Sequence, residues 1–331
     1  MARIGVRLES GPHLTPGQLI ELAKLVEDRG FESVWLPEGA GSEALTHLAA
    51  FACNTSRVTL ATGILPIYHR TPTLLAMGAG SVDAISGGRF TLGLGVGHRD
   101  PVEGGHGIPF DRPMTRMRET VHIVRGLLTG EPVTYEGKVY RPRGSKLGFA
   151  PLRPDLPIYL AALRPRMVEM AGEIADGVLL NWATPEYLEQ AVGHLRRGAE
   201  KAGRDPSAVD VACYVRTAVV DDVEAAKPWL RRRIAYYFTM DYYVRYFEQR
   251  GFAGEAAIIS AALARGDPEG AADVVTDAML EELAVVGSAE ECRRRVDALR
   301  ATGLRMPVVA PFVQGDNAME TFRAVIDAFA Q

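Results

Sequence analysis

The sequence predicts an α/β fold, a (β/α)8 TIM barrel carrying one hairpin-like insertion and one helical insertion. Three observations predict it. Short apolar runs alternate with stretches of helical spacing across short links, the rhythm of a parallel sheet. That rhythm yields eight strands over 331 residues, the number that closes a barrel. The strands release polar or glycine-rich segments at their carboxyl ends, where barrels bind ligands. Residues 1–331 are read as one barrel domain, interrupted at about 131–154 and 227–282.

Arg3 to Leu8 reads as the first strand. Thr15-Pro16 opens a helix, because Thr caps well and Pro suits the first turn. Leu19, Leu22, Ala23, Leu25 and Val26 give that helix an apolar face, and Gly30 ends it. Glu32–Leu36 is the second strand, followed by a helix capped by Ser42 and running through Phe51. Arg57–Ile64 is the third strand, and Thr71-Pro72 opens a helix to about Ile85.

The fourth strand is the most unusual. From Phe90 to Val96 the chain alternates with period two: Phe90, Leu92, Leu94 and Val96 share one face, and Thr91, Gly93, Gly95 and Gly97 the other. A glycine face packs no side chain, so another backbone or a flat ligand is expected close against it. The strand then delivers His98, Arg99 and Asp100. It is not a dinucleotide fingerprint, because His98 stands where the third glycine is needed.

A helix over Met114–Leu128 follows, then the first insertion, with a hairpin expected around Glu136-Gly137-Lys138. The rhythm resumes with strand Pro157–Ala162, helix Pro165–Ala171, strand Gly177–Leu180, helix Pro185–Ala202 and strand Val209–Val219. The helical insertion comes next, and strand Met306–Ala310 and a helix near Ala318–Phe329 close the chain. Five of the eleven tyrosines fall between Tyr236 and Tyr246, with Phe238 among them and Phe247 next in line. They are read either as packing within the insertion or as a wall over an apolar substrate.

Composition narrows the function classes. The net charge of −4 and the 47% hydrophobic content favour a sizeable core and give no reason to expect nucleic acid or a membrane as partner. Three scattered cysteines fit a reducing cytosol rather than a disulfide framework. The opening residues enter a strand pattern directly, so no signal peptide and a cytoplasmic location are expected. His98, Asp100, Glu103 and His106 match no zinc spacing, and no metal is expected. Gly78-Ala79-Gly80-Ser81 is no nucleophile elbow, since it lies inside a helix. The fifth strand ends in Ala161-Ala162-Leu163-Arg164 just before a helix N-terminus, which suits an anion.

Four segments carry a family resemblance: Gly30–Gly39, Thr62–Leu65 continuing through Arg70-Thr71-Pro72, Ser86–Gly95, and Ala175–Val178. Through them the chain resembles the luciferase-like flavin oxidoreductases, nearest the branch that uses the deazaflavin coenzyme F420. The similarity runs from Arg3 to about Asp205 and returns at Gly303–Pro311. It implies an F420-dependent oxidoreductase that passes a hydride between the deazaflavin C5 and a small organic substrate. By the same resemblance Glu38 is the acid beside the cofactor, and Gly63-Ile64 a non-prolyl cis peptide behind its ring. Gly97, His98, Arg99 and Asp100 then hold the cofactor, and Ala161, Ala162, Leu163 and Arg164 bind its phosphate. Where one sugar-phosphate dehydrogenase subgroup has a histidine base, this chain has Gly39, so neither that base nor that substrate is implied.

Glu38 and His98 are the candidates for proton handling, and His69 is a third, read rather as a wall residue. The alternatives are an FMN-dependent monooxygenase fed by a separate reductase, or a flavin- or deazaflavin-binding protein without catalysis. The resemblance also implies a homodimer, and the segments Leu45–Phe51 and Leu74–Val82 carry the apolar residues an interface would use.

Overall fold

The computed structural model describes residues 2–39, 41–313 and 317–331. Its strands, in chain order, are β1 (Gly5–Arg7), β2 (Ser33–Trp35), β3 (Thr59–Ala61), β4 (Leu65–Pro66), β5 (Phe90–Gly95), β6 (Ile158–Ala161), β7 (Gly177–Asn181), β8 (Asp210–Val219), β9 (Val285–Gly287) and β10 (Met306–Pro311). Every pairing between them is parallel. The sheet closes because β10 pairs with β1 on one side and with β8 on the other. β3 and β4 both pair with β5 and are two halves of one barrel strand, broken at Thr62-Gly63-Ile64. The result is the eight-stranded barrel read from the sequence, with β9 added beside the end of β8.

The helices fall where the caps place them. Thr15 caps α1 (Pro16–Asp28) by accepting from Gln18 N–H, and Gln18 reciprocates in a capping box. Thr71 caps α3 (Pro72–Ser86) by accepting from Leu74 N–H. For α2 (Ala44–Asn54) the expected Ser42 cap is replaced by Glu43, whose carboxylate accepts from Thr46 N–H at 2.6 Å. α4 spans Pro113–Leu128, α5 Pro165–Ile174 and α6 Pro185–Lys201.

Both insertions are present, each with a correction. The segment near 131–154 makes one antiparallel bridge, Val133 with Ser145, rather than a full two-stranded ladder. Its tip is held by Glu119 of α4, whose carboxylate accepts from the N–H groups of Lys138, Val139 and Tyr140 at 2.7–3.0 Å. Those donors are thereby withdrawn from cross-strand pairing, and Pro142 has none to give. The helical insertion starts earlier than expected, with α7 (Val223–Tyr236), and continues through α8 (Asp241–Phe247), α9 (Ala253–Ala264), α10 (Pro268–Asp273) and α11 (Asp277–Leu283). β9 and α12 (Ala289–Ala298) were not anticipated, although Ser288 and Glu291 form a capping box visible in sequence. α13 (Ala318–Ala328) ends the barrel.

Two apolar layers follow from the period of two. Phe90, Leu92 and Leu94 face outward into the core between sheet and helices. Inside the barrel, Trp35, Ala61, Tyr159, Leu179, Ala212, Tyr214, Met306, Val308 and Ala310 form a separate packed cluster. The amino-terminal end is tied shut by Tyr159, whose hydroxyl donates to Asp210 at 2.7 Å, and by Arg3, 2.9 Å from the same carboxylate. A cavity is left toward the carboxyl ends of the strands.

Among the described residues no helix is long and apolar enough to cross a membrane.

Candidate active site

A cavity of about 710 Å³ opens at the carboxyl ends of the barrel strands. Its wall takes Arg7 and Glu9 from β1 and the turn after it, Glu38 after β2, and Ile64 and Pro66 from the broken third strand. Gly97 and His98 follow β5, Asn181 ends β7, and Tyr214 and Arg216 lie on β8. Tyr236, Tyr237, Met240 and Tyr243 of the helical insertion cover it. The tyrosine run is therefore a wall over the cavity as well as packing.

The glycine face of β5 is explained by close backbone approach. A Cβ on Gly93 would stand 1.8 Å from the Thr62 carbonyl oxygen, and one on Gly95 2.3 Å from Ile64 Cδ1. The break at Thr62-Gly63-Ile64 folds directly onto it, with the Thr62 hydroxyl accepting from Gly93 N–H at 2.7 Å. The expected cis peptide is corrected here: no cis bond occurs among the described residues, and Gly63-Ile64 is trans. The break satisfies its hydrogen bonds in the trans form, with Gly63 N–H donating to Leu36 C=O at 3.2 Å and Ile64 C=O accepting from Glu38 N–H at 2.9 Å. Trans is also the lower-energy form of a non-prolyl bond, by about 2.5–4 kcal/mol. Gly63 itself faces Tyr214 rather than the cavity; a Cβ there would fall 1.6 Å from the Tyr214 hydroxyl.

Glu38 is held rather than free. Arg70 forks onto it, with Nη2 2.8 Å from Oε2 and Nη1 on Oε1, and Ala44 N–H donates to Oε2 at 3.2 Å. Hydrogen bonding to Glu38 raises Arg70 above its ordinary value despite partial burial. His69 Nδ1 lies 4.0 Å from Glu38 Oε1. The His69 ring stacks on His106 with centroids 3.6 Å apart, and its buried Nε2 has no hydrogen-bond partner among the described residues. Burial and the neighbouring His106 both lower His69, and burial lowers His98, so each imidazole favours its neutral form more than a free histidine does. His98 lies 5.5 Å from the Tyr243 ring and 6.1 Å from that of Tyr242.

The remaining expected residues are not gathered at the cavity wall. Arg99 and Asp100 are exposed, and Arg99 pairs with Glu103 at 2.7 Å while lying 5.0 Å over Phe110. Ala161, Ala162, Leu163 and Arg164 lie just outside the wall at the end of β6 and the start of α5. Arg164 lies 5.0 Å over the ring of Tyr242, which is itself 6.1 Å from the His98 ring of the wall. Burial pushes the Tyr242 hydroxyl up to about 12, against the opposing pull of Arg164 and the Leu163 backbone.

Tyr214 and Arg216 are among the polar wall residues that escaped the sequence reading. The signal that could have found them is period two within β8, where Ala212, Tyr214 and Arg216 share the inward face, so an arginine there must point into the barrel. Burial alone would raise Glu9, but the charge and hydrogen bond of Arg7, at 2.7 Å, carry it below the ordinary carboxylate value.

Comparison with known proteins agrees with this geometry. A family model described as luciferase-like monooxygenase matches residues 1–306. The 5,10-methylenetetrahydromethanopterin reductase of Methanolobus tindarius is 34% identical over 312 residues, covering 93% of this chain and 94% of the relative. The protein of the same name from Archaeoglobus fulgidus is 32% identical over 316 residues, covering 94% of each chain. The solved coenzyme F420-dependent tetrahydromethanopterin reductase of Methanopyrus kandleri superposes with a TM-score of 0.85 at 29% identity, covering 99% of both chains. The barrel, its cavity and these matches over most of its length agree: the chain belongs to the luciferase-like monooxygenase family and is an oxidoreductase.

Proposed function

We propose that the chain is an F420-dependent oxidoreductase that moves a hydride between C5 of the deazaflavin and a small organic substrate. The single observation that carries this reading is the cavity at the strand ends, walled on one side by the break that folds onto the glycine face of β5. When bound, the deazaflavin supplies the two-electron hydride carrier.

The residues present suit such a ring. Ile64 and Pro66 offer an apolar ledge, Gly97 and His98 a polar backbone and side chain beside it, and the unpartnered His69 Nε2 a further polar contact. His98 and His69, both shifted toward the neutral form, can each take a proton and return it. Glu38 holds the ledge in place through Ile64 and Arg70 and is the weaker proton carrier, because both of its oxygens are already engaged. Arg164 and the start of α5 are proposed to receive the cofactor phosphate, with the Tyr242 hydroxyl yielding that position to it. The exposed side chains of Leu74, Met77 and Ile85 on α3, at 46–51% exposure, favour a homodimer through that helix.

Anaerobic incubation of the protein with reduced F420, deuterated at C5, and a panel of carbonyls, imines and activated alkenes tests the reading. Transfer of deuterium to carbon in at least one product is expected. Stoichiometric F420 binding with no oxidation against the whole panel would replace the reading with that of a binding protein.

A further inference from the structure

We propose that Arg216 is the receptor for a carboxylate-type oxyanion on the organic substrate. The proposal deepens the reading above and rests on it for the word substrate. Arg216 is 7% exposed and lines the cavity. Among the described residues no carboxylate lies within 4.0 Å of it. Glu9 feels its charge, but the hydrogen bonds of Glu9 go to Arg7. A buried guanidinium without a counter-ion is strongly unfavourable unless something else holds it.

What holds it is neutral. Its Nε and Nη2 both donate to Asn181 Oδ1, at 3.2 and 3.0 Å. Its cation lies 4.8 Å over the Trp182 ring and 5.4 Å over that of Tyr237. Trp182 takes up that position with φ of 54°, in the left-handed region that bulky residues avoid. Its backbone is pinned there by the Tyr246 hydroxyl, which donates to Trp182 C=O at 3.1 Å. Asn181 is itself fixed, donating from Nδ2 to the Tyr243 hydroxyl at 2.9 Å.

These contacts leave the two Nη1 donors and one on Nη2, the forked edge that matches a carboxylate. The Tyr214 hydroxyl, two residues back on the same inward face, is turned against Gly63 and takes no part in the receptor. A prepared cation thus stands in the cavity wall with no anion from the described residues against its free edge. A planar anionic oxygen pair would match that edge. The same chemistry could come from an ionised oxygen of the deazaflavin ring, so the test separates the two sources.

Protein free of F420 is titrated with benzoate and with its neutral isostere benzamide, read by intrinsic fluorescence, since Trp182 lies under the guanidinium. The expected result is saturable benzoate binding at least tenfold tighter than benzamide. Arg216→Gln should abolish that preference, and Arg216→Lys should keep part of it. Melting curves within a few degrees of wild type confirm that the variants fold. The titration is then repeated with F420 at saturation. Retained benzoate binding supports the substrate assignment. Mutual exclusion of benzoate and F420, with weakened F420 binding in Arg216→Gln, would assign the receptor to the cofactor ring and overturn it. Wild-type preference persisting in Arg216→Gln, or no preference in the wild type, would also overturn it. Failure to bind F420 while the benzoate preference stands would sink the function proposed above and leave the receptor intact.

Discussion

Arg70 Nη2 stands 2.8 Å from Glu38 Oε2, and the two side chains, 12% and 8% exposed, form a forked pair that joins the end of the second strand to the turn after the broken third. Arg70 also reaches Glu43 at 2.5 Å, tying the same corner to the cap of α2. Removing one partner of a buried pair leaves an uncompensated charge. Arg70→Met should therefore lower stability by about 3 kcal/mol, near the low end for such a break. Urea unfolding checks this, and Arg70→Lys should recover part of the loss. A loss in Arg70→Met no larger than that of an ordinary surface substitution would mean the pair does not hold the corner.

The contact of Gly63 with Tyr214 gives a second prediction. Gly63→Ala drives a Cβ into the Tyr214 hydroxyl and should cost about 1–3 kcal/mol, the range for overpacking. Tyr214→Phe removes a buried hydroxyl that has no partner and should be near neutral. The double variant should lose less than Gly63→Ala alone. Strict additivity in chemical denaturation would show that the two residues do not meet.

Much of this architecture was legible because it rests on local chemistry. Thr15-Pro16, Thr71-Pro72 and Thr184-Pro185 each place a cap and a first helical residue, and each helix starts there. The glycine face of β5 announced a close approach, and the Thr62 carbonyl makes it. Other features depend on barrel closure. The partner of Glu38 is 32 residues away and meets it only when the third strand breaks at Gly63. Glu43 displaced Ser42 as a cap because its carboxylate serves Thr46 and Arg70 together. Arg216 was passed over inside an apolar strand, because its worth depends on what the opposite walls do not supply. The segment expected to bind phosphate falls at the end of β6 and the start of α5, but nothing in its own residues foretold that Tyr242 of a distant insertion would lie against Arg164.

Protonation of His69 and His98, which with His194 are held below their ordinary value, sets a pH trend. Each has a folded value below the ordinary 6.5, so the unfolded chain binds more protons in that window. The stability they contribute is present above about pH 6.5 and lost as pH falls toward their folded values. The melting temperature should drop below that pH, and His98→Gln should flatten the trend. An identical pH profile in His98→Gln would show that His98 is not held neutral by burial.

Arg164 lies over Tyr242 at the start of α5, and a phosphate there would gain a charge-assisted hydrogen bond. Arg164→Ala should weaken F420 binding by about 1–3 kcal/mol, roughly 5- to 150-fold in Kd. The effect should shrink at high salt, because the guanidinium is exposed. Unchanged F420 affinity at low salt would place the phosphate elsewhere.

The central claim is the choice of cofactor, and parallel equilibrium titrations of the purified protein with F420 and with FMN test it most directly. The account predicts saturable F420 binding at one equivalent per chain, FMN binding weaker by at least a factor of about 100, or 2.7 kcal/mol, and no oxygen uptake with reduced FMN. Tight FMN binding with oxygen consumption, and no F420 binding, would contradict it and make the chain a flavin monooxygenase.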